Sequence, residues 1–182
     1  DRHQNFPPTS FDFFPYCGLH RPVLLTTTPA QAITDLTVTT ELPGRVHARL
    51  KVSGTDVTRA RFSLEGTTIQ VETQVAGDTA EVTLEVPRAA LWSPDSPYLY
   101  DLSVELLQRG KAYDRYTLPV GIREIKVEGE ALLLNGQPIY LQGFGRHEDF
   151  PVTGRGYLPA VIIKDYALMK WVGANSFRTT HY

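Results

Sequence analysis

The stretch Gly143–Asp149 reads Gly-Phe-Gly-Arg-His-Glu-Asp, and a second polar stretch, Asn175–Tyr182, reads Asn-Ser-Phe-Arg-Thr-Thr-His-Tyr. The polar residues of each stretch follow a short apolar run, which is Ile139–Leu141 for the first and the residues around Phe177 for the second. We expect both runs to form strands that end at these polar side chains. In α/β barrels, polar side chains at the carboxyl ends of strands build the active site.

The residues between the two stretches have the pattern of an amphipathic helix over Pro159–Val172. A proline at its start and Gly173 directly after it are typical helix boundaries. A strand, a helix and a second strand make one βαβ unit. Because a closed (β/α)₈ barrel takes about 250 residues, we predict that residues 128–182 hold a hairpin and the first unit of a truncated TIM barrel. The apolar positions of the helix pattern are Val161, Ile162, Tyr166, Leu168, Met169 and Val172.

Upstream, residues 32–127 show repeated alternation of apolar and polar residues, rich in Val, Thr, Leu and Ile. Seven such runs, separated by Gly, Pro and Asp turns, predict an antiparallel immunoglobulin-like β-sandwich. The fold class is therefore mainly β, with a C-terminal βαβ piece. The predicted strands are Ile33–Thr40, Arg45–Val52, Thr58–Glu65, Thr68–Val75, Ala80–Val86, Tyr98–Gln108 and Tyr113–Val120.

Two further segments carry local signals. Asn135-Gly136 lies between apolar runs and predicts a tight hairpin. Trp92 stands between prolines in a loop that leads into a strand; a ring there could stack on a sugar, but packing at the end of the sandwich is the favoured interpretation. The first thirty residues are crowded with aromatic residues and prolines, and they predict irregular chain that ends in one strand, Arg21–Thr28.

The composition of the 182 residues excludes several classes of protein. A net charge of −2 and a pI near 6.2 argue against a nucleic-acid partner. The single cysteine, Cys17, excludes an internal disulfide framework and a multi-cysteine zinc site. No apolar run is long enough to cross a membrane, and the first residues do not have the pattern of a signal peptide. We expect no metal and no cofactor; the compartment stays open, with the cytoplasm slightly favoured.

Taken together, the two polar stretches and the helix between them resemble glycoside hydrolase family 2, the retaining β-glycosidases, and among these the β-glucuronidases. The resemblance implies that residues 1–31 are the last part of an N-terminal jelly-roll domain. It also implies a parent enzyme that hydrolyses terminal β-D-glucuronides and forms a homo-oligomer. A β-galactosidase-type member of the family is one alternative, and a stand-alone β-sandwich module that binds carbohydrate or protein is another.

The resemblance further implies which residues line the sugar subsite of the parent enzyme. Glu148 is expected to hold a neighbouring arginine, Arg146 or Arg178, in place. Retaining hydrolysis needs two carboxyl groups about 5–5.5 Å apart, whereas Glu148 and Asp149 are adjacent, and adjacent side chains of an extended backbone point to opposite faces. The family's acid/base glutamate follows an asparagine, and no Asn-Glu pair exists here, so we expect no catalytic residue in this chain. The implied substrate-binding residues are Arg146, His147, Asp149, Arg178, His181 and Tyr182.

Overall fold

The computed structural model describes residues 18–54, 56–150 and 153–179. Contacts between residues divide the chain into two compact units. One is the continuous segment Thr26–Ile139, and the other joins the residues up to Leu25 with Tyr140 and the residues after it. In the described ranges, no helix is long and apolar enough to span a membrane.

The segment Thr26–Ile139 is built around two antiparallel sheets. One sheet has the order β1-β2-β5 and the other the order β4-β3-β6-β7, and this arrangement confirms the predicted β-sandwich. The strands are β1 (Ile33–Glu41), β2 (Arg45–Val52), β3 (Arg59–Leu64), β4 (Gln70–Gln74), β5 (Thr79–Glu85), β6 (Tyr100–Gln108) and β7 (Lys111–Val120).

Alternate residues of these strands form the core between the sheets. In β2, every second residue from Val46 to Val52 is buried, while the intervening residues face outward, as the period of a strand requires. Phe62 of β3 is fully buried and is among the largest side chains of the core. Apolar burial of this extent is the main term that stabilises the sandwich.

A small three-stranded sheet follows, formed by β8 (Ile125–Glu128), β9 (Ala131–Leu134) and β10 (Gln137–Pro138). Leu134 pairs with Gln137, so Asn135-Gly136 is a two-residue loop, and both residues have positive φ, 53° and 76°. These angles are typical of a type I′ turn, and the predicted hairpin is confirmed. The Asn135 side chain also accepts a hydrogen bond from the backbone N–H of Glu124 at 3.0 Å and donates one to the Trp92 carbonyl at 3.0 Å.

Trp92 is a packing residue of the sandwich. Its backbone N–H donates to the Ile122 carbonyl at 2.8 Å, and the Arg123 guanidinium lies 4.6 Å from the indole centroid. A Cβ atom on Gly121 would come within 2.9 Å of the indole ring. These contacts favour the packing interpretation over stacking on a sugar.

The second unit contains β11 (Gly143–Arg146), α1 (Pro159–Trp171) and β12 (Ser176–Thr179). β11 and β12 pair in parallel, so the βαβ unit is confirmed. Proline occupies the first turn of the helix, and Gly173 has φ of 84° after its last turn. The N–H groups of Gly173 and Ala174 bond to the carbonyls of Lys170 and Met169, which is a Schellman cap.

Two strand predictions were wrong. Residues 21–28 form no strand, and Leu24 and Leu25 are 80% and 96% exposed. Because both leucines are exposed, this segment has no buried face, and without one the pairing register of a strand is not specified. Ile139–Leu141 is not a strand either. The Tyr140 carbonyl accepts a hydrogen bond from the Asn175 side chain, and the strand begins later, at Gly143.

Candidate functional site

The polar residues at the end of β11 alternate between two faces. Arg146 Nη1 lies 3.2 Å from Glu148 Oε1, and His147 Nδ1 lies 3.8 Å from Asp149 Oδ2. Each contact joins residues two apart in sequence, as expected when successive side chains of an extended backbone point in opposite directions. The two carboxylates, Glu148 and Asp149, therefore have separate partners, as the sequence predicted.

One of these faces is directed toward α1. The side chain of Arg146 is only 6% exposed, and its Nη2 lies 3.6 Å from a carboxylate oxygen of Asp165. The guanidinium carbon lies 5.4 Å from the ring centroid of Tyr166. Arg146 is thus enclosed by the helix, an acidic residue and an aromatic ring, an environment that suits a buried guanidinium.

His147 and Asp149 form the second pair of side chains. Asp149 Oδ1 accepts a hydrogen bond from Nε of Arg155 at 3.4 Å, while its second oxygen faces His147. The His147 side chain is 39% exposed and the Asp149 side chain 20% exposed. An imidazole and a carboxylate that solvent can reach are able to donate to and accept from sugar hydroxyl groups.

Arg178 of β12 lies next to β11, the strand that leads to His147 and Asp149. It pairs with Gly145 in the parallel ladder, and a Cβ atom on Gly145 would lie 3.6 Å from Nη2 of Arg178. The structure therefore brings Arg178 beside the strand that carries His147 and Asp149. The predicted residues His181 and Tyr182 lie outside the described residues.

A cleft of about 370 Å³ opens between β11 and α1. Apolar side chains dominate its walls, so the cleft by itself offers few partners for a polyhydroxylated ligand, and we place the candidate site at the carboxyl end of β11, where His147 also lines the cleft. Among the described residues, no group of three or more His, Cys, Asp or Glu side chains could hold a metal ion. The cleft is lined by Phe144, Gly145, Arg146, His147, Asp165, Leu168, Met169 and Val172.

Asn175 fixes the start of β11 against β12. Its side-chain oxygen accepts a hydrogen bond from the Gln142 N–H at 2.8 Å, and its amide donates to the Tyr140 carbonyl at 2.9 Å. No pattern in the sequence marks Asn175, Asp165 or Arg21 as functional. An asparagine directly before a strand is a detectable signal for such side-chain to backbone bonds. The ion pairs of Asp165 and Arg21, in contrast, could be found only from the folded structure.

Gly143 is required by the close approach of the two strands. A Cβ atom there would overlap the backbone carbonyl of Ser176. We expect Gly143→Ala to destabilise the unit that contains β11 by about 1–3 kcal/mol or more, because backbone atoms must move apart. Gly145→Ala is the matched control on the same strand, since its added methyl would meet only the end of a flexible arginine.

Amide hydrogen exchange of β11 and β12 measures the effect of these two substitutions. Faster exchange in Gly143→Ala than in Gly145→Ala is expected. Equal protection of β11 in both variants would show that the strands tolerate a side chain at residue 143.

The described fold is a β-sandwich followed by a parallel strand–helix–strand unit, the arrangement with which a (β/α)₈ barrel begins. Residues 25–123 match the family described as "Glycosyl hydrolases family 2", and residues 125–182 match "Glycosyl hydrolases family 2, TIM barrel domain". The chain belongs to glycosyl hydrolase family 2, which confirms the resemblance drawn from the sequence.

The chain is also similar to β-glucuronidases. It is 45% identical to the "Beta-glucuronidase" of Rattus norvegicus over 95% of this chain, and 43% identical to that of Paenibacillus borealis over 94% of this chain. The solved "Structure of Bifidobacterium dentium beta-glucuronidase complexed with coumarin-3-O-glucuronide" is 36% identical and superposes with a TM-score of 0.88. That match covers 94% of this chain and 30% of the other. The chain spans 28% of the length of the rat relative and 29% of the bacterial one.

Proposed function

We propose that this chain is a segment of a retaining β-glycosidase that hydrolyses terminal β-D-glucuronides, and that it lines the sugar subsite of that enzyme. One observation carries the proposal: Arg178 of β12 lies beside Gly145 of β11, and β11 leads directly into His147 and Asp149, whose side chains contact each other. In a (β/α)₈ barrel, the active-site mouth lies at the carboxyl ends of the strands, and His147 and Asp149 follow the carboxyl end of β11.

The residues at this mouth have different roles in the proposal. His147 and Asp149 exchange hydrogen bonds with sugar hydroxyl groups, and Arg178 supplies a positive charge close to an anionic sugar. His181 and Tyr182 extend the same subsite. Direct contact of Arg146 with substrate stays a prediction, and its burial against Asp165 and Tyr166 supports a role in holding Glu148.

The reacting carboxylates belong, in this proposal, to another part of the complete protein. Within this chain, residues 1–31 derive from a jelly-roll domain, 32–127 form the sandwich, and 128–182 lead into the barrel. The complete protein takes a β-glucuronide as substrate and assembles as a homo-oligomer. A stand-alone binding module is disfavoured, because it has no use for a parallel strand pair with polar residues at its carboxyl end.

The activity is tested with the complete protein and two chromogenic substrates, 4-nitrophenyl β-D-glucuronide and 4-nitrophenyl β-D-galactoside. We expect turnover of the glucuronide, and NMR of the first product should show retention of the β configuration. Preferred turnover of the galactoside, or a first product with inverted configuration, would contradict the proposal.

His147→Ala in the complete protein is expected to lower kcat/KM for the glucuronide by about 10- to 100-fold, or roughly 1.4–2.7 kcal/mol. The reason is that the imidazole serves the substrate and not the core, so the melting temperature should change little. His47→Ala is the matched control, because His47 lies in the sandwich and its side chain is similarly exposed, 36% against 39%. Full specific activity in a destabilised His147→Ala variant would assign His147 to the structure of the strand end.

A further inference from the structure

Four charged residues of alternating sign form a continuous chain of contacts at the end of β11. Arg21 donates a hydrogen bond to Oε2 of Glu148, and Arg146 donates to Oε1 of the same carboxylate at 3.2 Å. Arg146 continues the chain to Asp165 of α1 at 3.6 Å. Residues 18–25, which include Arg21, are thereby joined to the strand end and to the helix, all within one compact unit.

Each oxygen of the Glu148 carboxylate therefore has its own guanidinium partner. The Glu148 side chain is only 13% exposed, whereas that of Arg21 is 49% exposed, so the carboxylate is largely removed from water and is stabilised by these charge-assisted bonds. Removing one arginine would leave a largely buried carboxylate with half of its partners. The carboxylate would then be free to turn or to seek water.

The position of Glu148 decides the direction of its two neighbours. His147 and Asp149 flank it in sequence, and their side chains contact each other at 3.8 Å. Because the three residues share one short stretch of backbone directly after β11, a fixed Glu148 side chain restricts the backbone from which His147 and Asp149 project. Polar groups that bind a substrate need this kind of support if they are to keep productive geometry.

We propose that Arg21 is a positioning residue of the sugar subsite, which acts through Glu148 to orient His147 and Asp149. The inference rests on the proposed function, since it assigns those two residues to substrate. It adds to the subsite a supporting residue, Arg21, that lies 127 positions before its partner Glu148 in the sequence. Arg21 itself contacts neither the sugar nor the reacting atoms in this account.

The first test uses the 182-residue chain. Arg21→Gln is expected to shift the amide signals of residues 147–149 in ¹⁵N-resolved NMR spectra, and Arg21→Lys should shift them less, because it keeps one charged donor. Arg109→Gln is the matched control, since Arg109 is an exposed residue of the β6–β7 turn. Signals of residues 147–149 that do not respond to Arg21→Gln would overturn the inference.

The second test uses the complete protein and 4-nitrophenyl β-D-glucuronide. Arg21→Gln should lower kcat/KM by about tenfold or more, Arg21→Lys should recover most of the loss, and Arg109→Gln should have no effect. In the background of Glu148→Gln, the further change Arg21→Gln should have little additional effect, because both act on one contact.

The outcomes separate the two proposals. Full activity of Arg21→Gln, or losses that simply add in the double variant, would overturn the positioning role even if the wild-type protein is a glucuronidase. A wild-type protein with no activity on the glucuronide, in which the signals of residues 147–149 still respond to Arg21→Gln, would overturn the proposed function and, with it, the role of Arg21 in that subsite.

Discussion

The 182-residue chain by itself is expected to hydrolyse no glucuronide at a measurable rate. Retaining hydrolysis needs an acid/base carboxyl group and a nucleophilic carboxylate on either side of one glycosidic bond. At the site described here, Glu148 is engaged by Arg21 and Arg146, and Asp149 faces His147 and Arg155 on the other side of the backbone. Because the two carboxylates have opposite directions, they cannot flank one bond.

The expected loss is large, since glycosidases and other enzymes accelerate their reactions by about 10⁶-fold or more. Release of 4-nitrophenol by equal molar amounts of this chain and of the complete protein gives the comparison. Turnover by the purified chain that disappears in both His147→Ala and Asp149→Asn would show that this segment carries catalytic groups of its own. Residual turnover that survives both substitutions would point to a contaminating glycosidase.

The sandwich could be predicted because its signals are local. Alternation of apolar and polar residues and the turn residues between runs set the strands, and observed strand ends fall within two residues of the predicted ones, as for β3 at Arg59–Leu64. The same holds for the Asn135-Gly136 turn and for the helix, which begins at Pro159 as predicted and is capped at Gly173. Each of these features depends on residues that are neighbours in the sequence.

The first barrel strand was misplaced because its residues have weak strand signals. Gly143 and Gly145 lower the strand propensity of the motif, while the apolar run just before it is more typical of a strand. The structure explains the glycines: Gly143 lies against the Ser176 carbonyl, and Gly145 lies beside Arg178. Both contacts are with residues of β12, about thirty positions later in the sequence, so the residues around Gly143 and Gly145 do not predict them.

The candidate site also combines features that depend on neighbouring residues with features that depend on residues distant in the sequence. The opposite directions of Glu148 and Asp149 could be predicted from their adjacency alone. Their partners could not, since Arg21 and Asp165 come from distant segments that only the fold brings to β11. The sequence therefore predicted candidate residues for a sugar subsite, and the structure adds the contacts of Arg21 with Glu148 and of Asp165 with Arg146.

Phe62→Ala is expected to destabilise the sandwich by about 3–5 kcal/mol, the range for removing a buried phenylalanine. Phe62 is fully buried in the core between the sheets, and its neighbours across β3 are Val71 on one side and Val104 on the other. Removing the ring deletes its apolar contacts and leaves a cavity that strands held on both sides by ladder hydrogen bonds cannot close. A loss of this size is a large part of the 5–15 kcal/mol that stabilises a typical domain.

The measurement follows urea unfolding by tryptophan fluorescence in a Trp171→Phe background. The chain has two tryptophans; Trp171 is 82% exposed in the unit of β11, so its removal leaves Trp92 as a reporter of the sandwich alone. Val71→Ala is the matched control, because Val71 pairs with Phe62 but is 36% exposed and should cost no more than about 1 kcal/mol. Similar losses in the two variants would mean that the centre of the sandwich relaxes around the missing ring. A larger loss in Phe62→Ala alone would establish that the core between β3 and the facing sheet holds the segment Thr26–Ile139 together.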